Sequence, residues 1–323
     1  MGHALLKKDG SSLDFSGKFR LVTRSDFDGL ICAVLLKHLN MLDDIKFVHP
    51  KDMQDGIIEI SDRDITTNLP YVPGCYASFD HHLSETLRNQ DAGERHIIDA
   101  SAPSAARVVY DYFGGAASFP KEWEEMMQAV DQADSAQYSR EDILNPERWT
   151  LLNYLMDART GLGRFREFRI SNYELMMKLI DDCITLSIDE ILKLPDVSER
   201  VTLYNEHDQK AKEQIKRCST VHGKLVVLDL LNEETIYCTN RFTIYALFPE
   251  CSISLHKMWG LKKQNVVFAI GKSILDRSCK TVVGELCLRY NGGGHNAAGT
   301  CQVPTDESEE RLQEVISAIT ASA

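Results

Sequence analysis

Phe19-Arg20-Leu21-Val22-Thr23-Arg24-Ser25-Asp26-Phe27-Asp28-Gly29 is the stretch from which the fold can be read. Phe19 to Thr23 has the apolar, β-branched make-up of a short strand, and Leu30 to Leu39 then carries apolar residues at helical spacing. Asp26 and Asp28 therefore stand at the carboxyl end of a strand, where Gly29 lets the chain turn sharply into a helix. Open α/β sheets bind ligands outside the carboxyl ends of their strands. Two carboxylates aimed at one point repel, and a cation normally neutralises them. A turn with a helix N-cap accounts for an Asp-x-Asp-Gly equally well.

Downstream, Ile45 to Val48 reads as a second strand stopped by Pro50. Alternation of Ile58, Ile60 and Ile65 between Gly56 and Thr67 predicts further extended chain, and Cys75 to Phe79 is a strand that runs into Asp80-His81-His82. Helical patterns follow at 104–112, 121–130, 147–158 and 173–192. Strands separated by helices predict an α/β fold, a mostly parallel sheet with helices on both faces. Asp80-His81-His82 then ends on the same edge as Asp26 and Asp28. Carboxylate with imidazole suits Mn, Fe, Co or Zn better than Ca; a pair of surface histidines is the plainer alternative. Asp131 and Asp134 close an apolar helical stretch, where acids oppose the helix dipole. A solvated acidic turn also explains them.

Pro195 interrupts the helical pattern, and Glu199 to Arg217 is polar enough to suit an exposed connector helix. A second, smaller α/β set follows: strands at 224–229, 251–255 and 266–270, with helices near 240–247 and 281–290. The partition is 1–195, a helical connector 196–222, and 223–323. Asn291-Gly-Gly-Gly-His-Asn-Ala-Ala-Gly299 is the most specific feature of the last part. Gly292, Gly293 and Gly294 expose backbone N–H groups able to cradle an anion, beside His295. Arg277 is a phosphate candidate, because a guanidinium fork is bidentate. Arg159, Arg164, Arg166 and Arg169 read as a solvated helix-end cluster. Gly161-Leu-Gly163 lacks the third glycine of a dinucleotide fingerprint.

The 323 residues suit about two domains at roughly 150 residues each. With 43% hydrophobic and 26% charged residues, wholesale disorder and low complexity are excluded. Forty-eight acids against 36 bases give a net charge of −12, which offers duplex DNA no electrostatic funnel. No continuous basic track serves long nucleic acid or long polyphosphate either. No apolar run approaches the roughly 20 residues that span a bilayer. Met1 to Phe19 lacks a signal-peptide core, and Gly2 has no Ser or Thr at position 6 for myristoylation. Nine scattered cysteines without a C-x-x-C pair predict a reduced, soluble, cytoplasmic protein.

Taken in order, Asp26-x-Asp28-Gly29, Asp80-His81-His82, Asp134-Ser135 and Gly292–His295 with Ala298-Gly299 resemble the motifs of the DHH phosphoesterase superfamily. The resemblance covers nearly the whole chain and implies a metal-binding DHH domain followed by a DHH-associated domain. Among members, the chain looks most like exopolyphosphatase-related sequences and short-oligonucleotide phosphodiesterases. The resemblance matches Asp28, His81 and Asp134 to ligands of one metal, usually Mn²⁺, with Mg²⁺ or Co²⁺ as alternatives. It matches Asp26 to a second metal, places Asp80 in the same motif, and puts His82 on the reacting phosphate. Gly292 to His295 match the loop that holds the far end of the substrate, with Arg277 as partner.

Two positions depart from the pattern. The family usually has a histidine two residues before the first aspartate, where this chain has Arg24. The second motif is a strand-end aspartate, best matched here by Asn68, with Asp64 as the alternative. If Asn68 is the match, Arg24 puts a fixed positive charge where a metal normally sits, and one ion or two remains open. The expected activity is hydrolysis of short oligonucleotides, dinucleotides or nucleoside bisphosphates by metal-activated water. His82 and Arg24 would then stabilise phosphoryl charge. Exopolyphosphatase-type hydrolysis, a non-catalytic nucleotide-binding relative and a homodimer stay open.

Overall fold

The structure, a computed structural model, describes residues 13–88, 93–165 and 167–321. The readings made on residues 1–12, and Arg166 of the basic cluster, lie outside them. The chain folds as two compact units, 1–137 with 147–157 and 165–201, and 138–146 with 158–164 and 202–323.

In chain order the first elements are β1 (Phe19–Arg24), α1 (Phe27–His38), β2 (Leu42–Val48), α2 (Pro50–Gln54), β3 (Asp64–Thr67) and β4 (Ala77–Asp80). There follow α3 (Leu83–Arg88), β5 (His96–Ile98), α4 (Ala105–Tyr112), α5 (Glu124–Asp134), α6 (Arg140–Leu144), α7 (Arg148–Met156), α8 (Asn172–Thr185) and α9 (Ile188–Ile191). A long helix α10 (Pro195–Arg217) leads to β6 (Ser219–His222), β7 (Leu225–Asp229), α11 (Thr243–Leu247), β8 (Ile253–Trp259) and β9 (Val266–Lys272). The chain closes with α12 (Val283–Leu288), β10 (Gly293–Gly294), β11 (Ala298–Val303) and α13 (Ser308–Thr320).

The first unit holds a five-stranded sheet in the order β2-β1-β3-β4-β5, every pair parallel, as the sequence predicts. Thr23 lies beside Thr67, and Thr67 beside Phe79, so β1, β3 and β4 end level with one another. Helix α1 is buried at every position from Phe27 to Leu36, consistent with a helix apolar on all sides. It packs on β1 and β2 and against α4, α5 and α8. Each of its large aliphatic side chains contributes about 1.5–3 kcal/mol by leaving water. Gly29 allows the tight β1–α1 turn: a Cβ there would lie 2.0 Å from the Arg24 carbonyl oxygen.

Between Gly56 and Ser61 the expected extended chain is not a strand, and only Asp64–Thr67 pairs. Ile58 and Ile60 instead cover a small core of Val22, Val48, Met53 and Leu69, so their alternation records a loop lying on an apolar surface. Pro195 opens α10 rather than breaking a helix, because the first turn needs no donor from it.

The second unit carries a six-stranded mixed sheet in the order β10-β11-β9-β8-β7-β6, in which only β7 and β8 are parallel. Its core joins Leu225, Leu255, Phe268 and Ile270 of the sheet to Val283 and Leu286 of α12 and Val315 and Ile319 of α13. Among the described residues no helix is long and apolar enough to cross a membrane.

Candidate metal centre

Because β1, β3 and β4 are adjacent and parallel, the residues that follow them meet at one edge. Asp26 and Asp28 come from the β1–α1 turn, Asn68 follows β3, and Asp80-His81-His82 ends β4. Asp134 arrives from the last turn of α5. Ligand atoms of Asp28, His81 and Asp134 all lie within 4.8 Å of one another.

Each of the three is fixed by a different part of the backbone. Asp28 is 2% exposed, and its two oxygens accept from the amides of Ala105 at 3.0 Å and Ala106 at 2.8 Å. Those amides open α4, whose N-cap is Ser104, so a helix N-terminus steadies the carboxylate. Backbone donors leave no signature in residue type, which is why the sequence did not reveal them. His81 Nδ1 lies 3.2 Å from the Ala102 carbonyl, which calls for a proton on Nδ1, and Nε2 faces Asp134 Oδ2 at 2.8 Å, a contact that a second proton completes until a cation takes its place.

The electrostatics follow from that packing. Burial first, then the charges of Asp134 and Asp26, hold the Asp28 carboxyl well above the usual carboxylate range. Burial alone would lower His81, but its hydrogen bond to Asp134, with the charges of Asp134, Asp28 and Asp80, raises it to about 9. Burial opposes ionisation of Asp134, yet the His81 contact outweighs it and keeps that carboxyl low; Arg24 adds to the effect.

This donor set fits a divalent first-row ion: two carboxylates and one imidazole converge, and each carboxylate oxygen retains a second lone pair. Asp80 Oδ2 and Asn68 Oδ1 are buried acceptors with no hydrogen-bonded donor. Asp80 is wholly buried behind the histidines, with Oδ1 2.7 Å from His82 Nδ1 and accepting the His81 amide at 2.9 Å. His82 is thereby left to present Nε2.

Two sequence candidates are placed elsewhere. Asp64 begins β3, at the end of the strand opposite Asn68, and is clamped by Arg20 Nε at 2.7 Å and Nη2 at 2.8 Å. Asp131 faces α4, where it accepts from Ser104 Oγ at 2.7 Å and Arg107 Nε at 2.9 Å. It braces the N-terminus of α4, whose amides hold the Asp28 carboxylate. Asn68, by contrast, reaches the centre and donates Nδ2 to Asp26 Oδ1 at 3.2 Å.

In the second unit, the glycine motif is a hairpin rather than an open nest of donors. Gly293 and Gly294 pair with Thr300 and Gly299, the Gly292 amide donates to Cys287 O at 2.9 Å, and that of His295 to Ala298 O at 2.7 Å. The His295 ring is exposed, and Arg277 is exposed with Nε donating to the Ile274 carbonyl at 3.2 Å.

Neither a family model nor a curated protein matches the chain. A solved structure does: the pGpG-specific phosphodiesterase PggH from Vibrio cholerae, 59% identical over 95% of this chain and 100% of that one, with a TM-score of 0.86. The chain belongs to the DHH phosphoesterase superfamily. It is a phosphodiesterase-type hydrolase with an aspartate–histidine cluster suited to a metal. CDC45 from Entamoeba histolytica, 7% identical over 94% of this chain and 95% of that one at a TM-score of 0.52, is similar in fold alone. RecJ from Thermus thermophilus, solved in complex with Mn²⁺, is 12% identical over 94% of this chain and 52% of its own, at a TM-score of 0.49.

Proposed function

We propose that this DHH protein hydrolyses the linear dinucleotide pGpG, splitting its one internucleotide phosphodiester. Water adds to phosphorus, the bond from phosphorus to the 3′ oxygen breaks, that oxygen takes a proton, and two molecules of GMP result. The carrying observation is the 59% identity to a pGpG-specific phosphodiesterase along its whole length, together with the Asp28–His81–Asp134 cluster. The net charge of −12 fits a short substrate better than a long polyanion.

Asp28, His81 and Asp134 would hold the divalent cation, Mn²⁺ in the first instance. When bound, such an ion supplies an acidified water and positive charge for a phosphoryl oxygen. The remaining work falls to the chain. The amides of Ala105 and Ala106 keep Asp28 aimed, and Ala102 keeps His81 in one tautomer. Asp80 locks the His82 ring, whose Nε2 donates to the phosphate as imidazolium or accepts a proton as the neutral ring. Arg24 adds fixed charge to the same edge. We assign the metal chemistry to residues 1–195 and substrate holding, by Arg277 and Gly292 to His295, to residues 223–323, with 196–222 between them. A cytoplasmic location belongs to the same proposal, supported by nine free cysteines.

The test is turnover of pGpG, longer oligoribonucleotides and polyphosphate with Mn²⁺, Mg²⁺ or Co²⁺, products resolved by chromatography. GMP released from pGpG in preference to the others is expected. No turnover of pGpG with any ion would defeat the proposal.

A further inference from the structure

We infer that this centre takes one divalent cation, and that the guanidinium of Arg24 occupies the place of a second by neutralising Asp26. The inference rests on the phosphodiesterase reading for its catalytic meaning, but not for its ion count. Asp26 is enclosed by donors from its own chain. Arg24 Nε lies 2.8 Å from Oδ2, Asn68 Nδ2 donates to Oδ1 at 3.2 Å, and the Gly29 amide donates to Oδ1 at 3.0 Å as α1 begins. A charge-assisted contact, an amide and a helix N-terminus together answer one carboxylate.

The neighbouring acids differ. Asp28, which is buried, and Asp134, which is partly buried, have no lysine or arginine in ion-pair contact among the described residues. Two sets gather ligand atoms among the described residues, Asp28–His81–Asp134 and Asp80–His81–His82, which share His81, and neither includes Asp26. A cation at Asp26 would have to displace a covalently tethered one and leave the guanidinium without its carboxylate. Asn68 cannot compensate for a missing carboxylate: its nitrogen donates to Asp26, and its buried, unpartnered Oδ1 could offer an ion only a neutral ligand.

The consequence for catalysis is that Arg24 shares the charge of the phosphoryl oxygens with a single ion. A guanidinium has five N–H donors in a planar fork, more than the one carboxylate uses. The role assigned to it is contact with the phosphoryl oxygens of bound substrate, and hence a catalytic one.

The experiment counts ions on the intact, metal-stripped chain by calorimetric titration with Mn²⁺, with the EPR spectrum of the loaded protein as a second readout. Wild type is expected to bind one Mn²⁺ per chain and to give the spectrum of an isolated ion. Arg24→Ala is expected to keep that single ion while kcat on pGpG falls about 10²-fold. The double variant Arg24→His/Asn68→Asp, checked for folding by circular dichroism, is expected to bind two and show a coupled pair. Two tight ions in wild type, or none, would overturn the inference, as would a folded double variant that still binds one. Loss of the pGpG assignment would show as absent turnover with the count unchanged, so the two failures are distinct.

Discussion

Asp80 and His82 form a pair at 2.7 Å in which the carboxylate is wholly buried and the imidazole 41% exposed. A buried anion at one ring nitrogen fixes the orientation of the other, as outer partners do for histidines at metal and catalytic sites. Asp80→Asn keeps the shape but offers an amide, which can reverse the tautomer. The expected result is a fall in kcat of about 10–100-fold with KM and thermal midpoint little changed. Steady-state kinetics across pH decide it: an unaltered kcat would show that Asp80 serves packing alone.

Removal of the ion should be felt in stability as well as turnover. A cation present at about 100 times its Kd stabilises the folded state by about 2.7 kcal/mol. Chelation of wild type should therefore lower Tm by several degrees and abolish activity, with both restored by Mn²⁺. In Asp28→Asn and His81→Ala, Mn²⁺ should leave Tm unmoved, and kcat/KM should fall more than about 100-fold. A wild-type Tm indifferent to Mn²⁺ would count against binding at these three residues.

The parallel sheet and its reactive edge were legible because strand-ending acids and histidines fall at each carboxyl terminus in turn: Asp26 and Asp28, then Asp80 to His82. What could not be read was which acid does what. Asp64 and Asn68 stand four residues apart, one at the start of a short strand and the other just past its end, and only the direction of that strand shows that Asn68 is on the working edge. Asp131 and Asp134 are one helical turn apart, and their roles are separated by Arg107, a partner remote in sequence. Helix α10 hid its buried face for another reason. Val197, Arg200, Tyr204, His207, Ala211 and Gln214 are buried at spacings of three or four, but polar residues hold several of those positions, so a hydrophobic pattern misses the stripe. Strand β10 was invisible because its two consecutive glycines carry no strand propensity.

Arg20 and Asp64 set a pH dependence that has nothing to do with catalysis. Burial tends to raise Asp64, but the hydrogen bonds from Arg20 and from the Ser61 amide prevail and hold its carboxyl below the usual range. A folded pKa beneath the unfolded value of about 3.9 gives stability that is complete above it and is lost as pH falls through the folded value. Asp64→Asn should thus cost about 1–3 kcal/mol at pH 7, less than a fully buried pair because Arg20 is 29% exposed. The deficit should shrink below about pH 4 as wild type loses the same contact. Urea midpoints at pH 7, 5 and 3 measure it. Turnover per folded molecule should be unchanged, whereas a metal ligand at this position would lose it.

Glycines in the Gly292–Gly294 run are not equivalent, and the difference separates packing from substrate contact. A Cβ on Gly292 would lie 2.1 Å from the Thr300 carbonyl oxygen and 2.7 Å from the Cys301 Cα, both backbone of the facing strand β11. On Gly293 it would meet nothing within 4 Å. Gly292→Ala must push the hairpin apart, at about 1–3 kcal/mol, the usual cost of overpacking. Gly293→Ala should fall within about 0.5 kcal/mol of wild type. If this hairpin holds the far end of the dinucleotide, Gly292→Ala also raises KM while kcat at saturation survives. Denaturant midpoints and Michaelis curves on the two variants test both statements. Equal destabilisation would refute the packing account, and an unchanged KM in Gly292→Ala would remove the hairpin from substrate binding.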